Sequence, residues 1–314
     1  MKHQAELTAF VKERAAQLGF SYCGISKARR LDEEAPRLEK YLKEGRHGRM
    51  AYMENHFDKR LDPRLLVDGA TSVISLIVNY FPGKEAAYTS PLKVSKYARG
   101  EDYHFVIKDM LFTLAEDLKA RAGNINYRVF TDSAPVLDRA WAVNAGLGWI
   151  GRNTMMITPR NGSFFFIAEI ITDLELAYDP PFGGNYCGDC TRCMDACPTG
   201  AITGFRELDA SRCISYLTIE LKDEIPNAFK DSMESWIFGC DICQDVCPWN
   251  RFSLQHSQPR FEAVGDWIEW SKDEWAALEE PVFKAVFSKS ALKRAGFHKL
   301  KNNITFANQS FQRE

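Results

Sequence analysis

Apolar residues recur at helical spacing from the start of the chain. Leu7, Phe10, Val11, Ala15 and Leu18 fall on one face, and Gly19 ends the pattern. The run TSVISLIVNYF at 71–81 is β-branched and apolar and closes on Pro82-Gly83, which predicts a buried strand. Helical period returns over 105–123 (FVIKDMLFTLAEDLKARAG), again with a glycine stop. A short strand is expected at 127–132 (YRVFTD), a helix at 136–145 (VLDRAWAVNA), and further strands in NTMMIT and SFFFIAEIIT. Strands and helices that alternate through residue 175 predict a mixed α/β domain.

The pattern breaks at AYDPPFGGN (177–185), a proline- and glycine-rich linker. A cysteine-rich region follows, and helical spacing resumes over 259–300, with Trp267, Trp270 and Trp275 set among charges. The last dozen residues are polar and are expected to fray. The expected organisation is an α/β (mixed α+β) domain over 1–176, a cysteine-rich domain over 177–255 and a C-terminal helical segment over 256–314.

Composition narrows the class. Of 314 residues, 45% are apolar and 26% charged, a globular balance that argues against disorder. No apolar stretch approaches membrane-spanning length. The N-terminus, MKHQAELTAF, has no signal-peptide core, and Arg29-Arg30 runs into LDEEAPR, too acidic for a twin-arginine signal. A soluble, cytoplasmic protein without a membrane partner is expected. The net charge of −2 indicates no polyanion partner unless a local basic patch is concealed in the total. Nine cysteines in a reducing compartment point to metal binding or redox chemistry rather than disulfides.

Their spacing is specific. Cys187, Cys190, Cys193 and Cys197-Pro198 fit C-x2-C-x2-C-x3-C-P, the run by which bacterial ferredoxins hold a 4Fe–4S cluster while the fourth cysteine ligates a second one. Cys240, Cys243 and Cys247-Pro248 repeat the ending one cysteine short, and Cys213 is the nearby thiol that completes the set. The expected ligand sets are Cys187, Cys190, Cys193 and Cys247 for one cluster, and Cys197, Cys213, Cys240 and Cys243 for the other. Zinc also uses C-x2-C pairs, but it wants two pairs per ion and has no use for the C-x3-C-P ending. Cys23 lies in an apolar strand and reads as a small buried residue. Two clusters move single electrons, so the N-terminal domain should hold their acceptor.

No G-x-G-x-x-G follows a strand, which leaves a Rossmann dinucleotide site unsupported. AGLGWIGRN (145–153) is a tight turn where backbone could approach a large flat ligand. Asp132, between a strand and a helix, is either a helix N-cap or a catalytic acid.

At this point FTDSAPVLDRAWAVNAGLGWIGRN, GSFFFIAEIITDL, CGDCTRCMDACPTGAI, RCISYLTIEL and FGCDICQDVCPWNR together resemble the epoxyqueuosine reductases, from about residue 5 to residue 300. The resemblance implies a cobalamin-dependent enzyme, related to reductive dehalogenases, with a ferredoxin-like module carrying two 4Fe–4S clusters. It would perform the last step in making the queuosine base of tRNA. It implies Asp132 as the catalytic acid and Arg60, Ser95, Tyr97, Asn153 and Ser215, with Asp132, as cobalamin contacts. Without the resemblance these read as a surface ion pair (Arg60), a core aromatic (Tyr97) and caps (Asn153, Ser215). His104, in Asp102-Tyr103-His104, lacks the glycine of D-x-H-x-x-G, so no protein histidine is expected beneath the cobalt.

Many members continue into paired HEAT-like repeats that help hold tRNA. Little sequence follows residue 300 here, and an unpaired repeat cannot bury its own face. The expected grip on the anticodon stem-loop therefore falls to Lys289, Lys293, Arg294, Lys299 and Lys301, with Lys93, Lys96 and Arg99 nearer the cofactor. A monomer fed by an external electron donor of flavodoxin or ferredoxin type is expected. The competing readings are a cytosolic dehalogenase-like reductase, a non-enzymatic electron carrier and a zinc-stabilised tRNA-binding protein.

Overall fold

The computed structural model describes residues 2–84 and 88–310. In chain order, α1 (Lys2–Gln17), β1 (Tyr22–Lys27), α2 (Ala35–Lys43), α3 (Phe57–Leu61), β2 (Ser72–Asn79) and β3 (Lys93–Val94) lead to α4 (Tyr103–Ala122). Then come β4 (Tyr127–Phe130), α5 (Asp138–Asn144), β5 (Trp149–Ile150), β6 (Met156–Ile157) and β7 (Phe165–Thr172). The cysteine region holds α6 (Arg192–Asp195), β8 (Ile202–Gly204), β9 (Glu207–Leu208), α7 (Ile214–Ile219), β10 (Trp236–Phe238) and α8 (Ile242–Asp245). Helices α9 (Lys272–Ala276), α10 (Glu280–Val286) and α11 (Phe297–Ser310) end the chain. No helix among the described residues is long and apolar enough to cross a membrane.

The central sheet has the order β1-β2-β7-β4 with every pair antiparallel. Ile74, Leu76 and Val78 of β2, with Phe166, Ala168 and Ile170 of β7, pack on one face against α1 and α4. On the other face Val73, Phe130 and Ile171 meet Ala140 and Trp141 of α5. Strand β2 is thus covered on both sides, which is why its sequence is a largely apolar run, interrupted by the buried Ser75, rather than an alternating one. Strand β4 stops two residues before the pattern suggests, because Asp132 adopts a left-handed backbone (φ 49°) that breaks the pairing.

A second core forms away from this sheet. Strand β3 pairs in parallel with β10, and Leu92, Val94, Ile237 and Phe238 pack with Trp275, Phe287, Leu300, Ile304 and Ala307 of the C-terminal helices. The apolar face of those helices is covered by the segments around residues 92 and 237. Residues 303–310 are helical and include the buried Asn303, Ile304 and Ala307, so the expected fraying does not hold there; 311–314 lie outside the described residues. The 177–185 linker is also tied down. Asp179 pairs with Lys12 at 2.5 Å and accepts from the Ile25 amide at 2.8 Å, while Phe182 stacks on Trp149.

Glu169 is an exception in the sheet. It sits opposite Phe130 on the α5 face, 1% exposed, with Oε1 unpartnered. Burial pushes its carboxyl well above the usual range, and the charges of Asp138 and Asp132 add to the effect. The folded protein thus holds this proton more tightly than the unfolded chain. That stabilisation is complete below the ordinary glutamate pKa of about 4.3 and is lost as pH rises toward the folded value. Thermal melts of Glu169→Gln should show a stability gain over wild type that widens as pH rises above the ordinary glutamate pKa of about 4.3. A difference that does not vary with pH would contradict this reading.

Candidate active site

Asp132 is held at the rim of the central sheet by its own unusual backbone. Helix α5 starts six residues later, with Leu137 at the N-cap and no side-chain cap, so Asp132 caps nothing. Its side chain is 62% exposed, and Oδ2 accepts a hydrogen bond from the Tyr103 hydroxyl. A left-handed aspartate with a mostly open carboxyl is a costly arrangement that structural needs do not explain. Asp132 Oδ2 lies 4.0 Å from His104 Nε2.

Tyr103 and His104 are the first two residues of α4, where Asp102 is the N-cap and accepts from the His104 amide at 3.0 Å. Asp102 Oδ1 also meets His104 Nδ1 at 2.6 Å. Burial alone would raise the Asp102 carboxyl, but the His104 hydrogen bonds outweigh it and hold the group below its ordinary range. Arg294, from just before α11, places its guanidinium on the His104 ring. Arginine only donates, so the tautomer that serves both contacts carries its proton on Nδ1, toward Asp102. The failed cobalt-ligand pattern is therefore a helix cap that delivers a tyrosine and a histidine to Asp132. Sequence reasoning missed Tyr103, whose one local signal was the Asp102 cap.

The other expected contacts are used differently. Tyr97 stands edge-on to Tyr103, and burial, then the charge of Asp132, drives its phenol upward. Arg60 is 7% exposed, not in a surface ion pair, and donates to the carbonyls of Tyr52 (2.6 Å) and Asn55 (3.3 Å). It fixes the turn that presents Tyr52, a half-exposed phenol that burial pushes up to about 12. Ser95 is buried and gives its hydroxyl to Asp241. Asn153 bridges the Cys243 carbonyl (3.3 Å) and the Met155 amide (3.2 Å). Ser215 lies half-buried in the first turn of α7, next to Ile214 and two residues after Cys213.

The cysteines gather in two neighbourhoods. Cys193 sits among Cys247, Cys187 and Cys190; burial first, then those thiols, push it up to about 11. Cys187, Cys190, Cys193 and Cys247 line one small cavity. Cys240 and Cys243, both raised chiefly by burial, have Cys213 and Cys197 as neighbours. Cys193 also lies near Cys243, so the two groups adjoin. Among the described residues, no three His, Cys, Asp or Glu side chains converge enough to share one ion. Four separated thiols suit the corners of a cluster. Cys23 stands apart in β1, its thiol pushed up to about 12 by burial.

At the start of α5 opens a cavity of about 250 Å³, lined by Leu38, Met53, Leu137 and Ile150 and rimmed by Arg37, Arg139 and Arg206. Arg206 Nε is buried without a partner, a donor that a bound anionic group would satisfy. Tyr41, another lining residue, neighbours Cys213, which brings the second thiol group to the cleft wall. The glycine turn is not a ligand cradle. A Cβ on Gly148 would lie 2.1 Å from the Ile157 carbonyl and one on Gly146 2.7 Å from that of Pro180, so these glycines serve packing of the chain on itself.

Few of the expected basic residues stay free. Lys299 is buried, donates to the Asp223 carbonyl at 3.3 Å and is pulled down to about 8 by burial. Lys301 donates to the Ala276 and Leu278 carbonyls. Lys96 pairs with Asp245 at 2.6 Å, Lys93 lies 3.5 Å from Glu234, and Arg99 stacks on Tyr88. Lys289 and Lys293 remain exposed.

A family model described as "4Fe-4S double cluster binding domain" matches residues 186–250, and one described as "Epoxyqueuosine reductase QueG, DUF1730" matches 60–133. The epoxyqueuosine reductase of Cyclobacterium marinum is 55% identical over 300 residues, covering 95% of this chain and 96% of that protein. Among solved structures, an epoxyqueuosine reductase with a tRNA-Tyr epoxyqueuosine-modified stem loop superposes with a TM-score of 0.91 at 30% identity, covering 98% of this chain and 82% of that one. A Bacillus subtilis epoxyqueuosine reductase, with its aspartate catalytic loop swung out of the active site, gives 0.88 at 30% identity and the same coverage.

Proposed function

The chain belongs to the epoxyqueuosine reductase family, and from that premise we propose that it reduces epoxyqueuosine to queuosine in the anticodon stem-loop of tRNA. Cobalamin would be held beside Asp132, and two 4Fe–4S clusters would supply electrons to it. Opening the epoxide to an alkene consumes two electrons and two protons and releases water. Cobalamin, when bound, supplies a reduced metal centre, chemistry that no side chain offers.

The observation that carries the reading is Asp132, a carboxyl that caps no helix, held on a left-handed backbone with its side chain 62% exposed. An alkoxide is a poor leaving group, so the oxygen must be protonated as its bond to carbon breaks. Asp132 donates that proton. The Tyr103 hydroxyl on Oδ2 orients the carboxyl and leaves Oδ1 to face the substrate. Tyr97, Ser215 and Arg206 offer polar groups toward the cofactor, while Ser95, Arg60 and Asn153 shape the site through the protein contacts they make. The eight cysteines hold the clusters as two sets, Cys187, Cys190, Cys193 and Cys247 in one and Cys197, Cys213, Cys240 and Cys243 in the other, the second lying nearer the cleft. The protein acts as a cytoplasmic monomer and takes electrons from a flavodoxin- or ferredoxin-type donor.

The modified base must leave its stack to reach the cleft, so the loop binds as a splayed single strand. Phosphate contacts release counterions, and affinity for the stem-loop should fall as salt rises despite the acidic total charge. Lys289→Ala with Lys293→Ala should weaken binding. It should also flatten the slope of log affinity against log salt by about 0.7–0.9 for each phosphate that a lysine no longer neutralises. An unchanged slope would remove these lysines from the grip. The function itself is tested by reducing the clusters anaerobically in cobalamin-loaded protein and adding the modified stem-loop. The clusters should reoxidise only with the modified substrate; reoxidation that is the same with an unmodified loop would overturn the reading.

A further inference from the structure

The reaction consumes two electrons that no group of the chain generates, so the first cluster must meet a reductant at the surface. A groove there is lined by Phe81, Phe164, Arg192, Cys247, Pro248 and Arg251. It runs along the two loops that carry Cys193 and Cys247. Arg192, Arg251 and Lys84 are exposed around it, and none of the three has a carboxylate at ion-pair distance among the described residues. Of the two acids in the groove, Asp245 is matched by Lys96 at 2.6 Å and Asp195 accepts from the Thr191 hydroxyl at 2.7 Å. The face is therefore locally positive on a chain of net charge −2. Its floor is aromatic, with Phe81 stacked on Phe164 at 5.1 Å, and Phe252, 39% exposed, lies under the Arg251 guanidinium. Unpaired cationic side chains around a groove, with one exposed aromatic, Phe252, under Arg251 beside it, are features of a protein-binding patch.

We propose that this groove docks a small acidic one-electron carrier protein of the flavodoxin type, which reduces the cluster of Cys187, Cys190, Cys193 and Cys247. The proposal rests on the assignment of those four thiols to one cluster. Each encounter oxidises the carrier by one electron and reduces the cluster by one, and two encounters supply a turnover. From there the route passes through the adjoining thiol group to the cleft, since Cys193 neighbours Cys243 and Cys213 neighbours Tyr41. Positive charge at the entry point steers an acidic partner and repels cationic ones. The groove shares no lining residue with the Asp132 site, where the nucleic acid must arrive, which favours a protein occupant.

The test compares wild type with the Arg192→Gln, Arg251→Gln double variant, both with reconstituted clusters. Iron content and the visible spectrum, recorded first, show that both clusters are loaded, and the electron paramagnetic resonance of Cys247→Ala tests the cluster assignment separately. Stopped-flow bleaching of the clusters is then followed with flavodoxin hydroquinone and, as a reductant that needs no docking, with reduced methyl viologen. The flavodoxin rate should fall about tenfold or more and lose most of its salt dependence, while the viologen rate is retained. Line broadening of labelled oxidised flavodoxin by the wild-type protein should vanish with the variant. An unchanged flavodoxin rate, or equal slowing by both reductants, would overturn the proposal. So would weakened stem-loop binding with flavodoxin reduction intact, which would make the groove a nucleic-acid surface.

Discussion

Asp132→Asn should lower epoxide reduction by about 10²–10⁴-fold, the usual contribution of a general acid. Cobalamin binding, both clusters and thermal stability should stay close to wild type. The structure sharpens this expectation, because Asp132 caps no helix and its side chain is 62% exposed. Asparagine also tolerates a left-handed backbone, so the loop geometry survives the change. It keeps an acceptor for the Tyr103 hydroxyl but has no acidic proton to give. Tyr103→Phe should retain part of the activity, since it removes the hydrogen bond that orients the carboxyl and not the acid itself. Single-turnover rates on a modified stem-loop measure both variants. Wild-type turnover in correctly loaded Asp132→Asn protein would assign the acid to another group, with Tyr97 next in line.

Removing a cluster ligand is the other large effect. Cys247→Ala should damage the cluster built mainly on Cys187, Cys190 and Cys193, and Cys213→Ala the one held by Cys197, Cys240 and Cys243. Either break interrupts the electron route, so turnover with an external donor should be lost in both. Electron paramagnetic resonance of the reduced proteins separates them, because each variant should lose a different signal. If Cys197→Ala instead removed the same signal as Cys187→Ala, the whole 187–197 run would hold one cluster and the crossed assignment would fail.

How much of this was legible in the sequence depends on the distance over which each feature is encoded. Ligand spacing is local, and the cysteine runs could be read directly. Buried strands are local too, and β2 and β7 lie where their apolar runs put them. Asp132 was visible, but its two readings could not be separated, because the cap depends on where α5 begins. What stayed hidden is long-range. Tyr103 reaches Asp132 across 29 positions, and Arg294 reaches His104 across 190. Lys299 and Lys301 read as a basic stripe, yet carbonyls of neighbouring segments take up their charges. The glycines of 146–151 read as a ligand cradle, whereas the chain packs against itself there. Single-residue patterns carry the presence of charge and flexibility, and only the tertiary fold says what uses them.

The most direct measurement is the mass of the modified nucleoside released from an epoxyqueuosine stem-loop after anaerobic incubation with the cobalamin-loaded, cluster-replete protein and a low-potential reductant. Loss of one oxygen, giving queuosine, is the predicted result, in a reaction that requires both cobalamin and intact clusters. Unchanged epoxyqueuosine after incubation with fully loaded and reduced protein would contradict it.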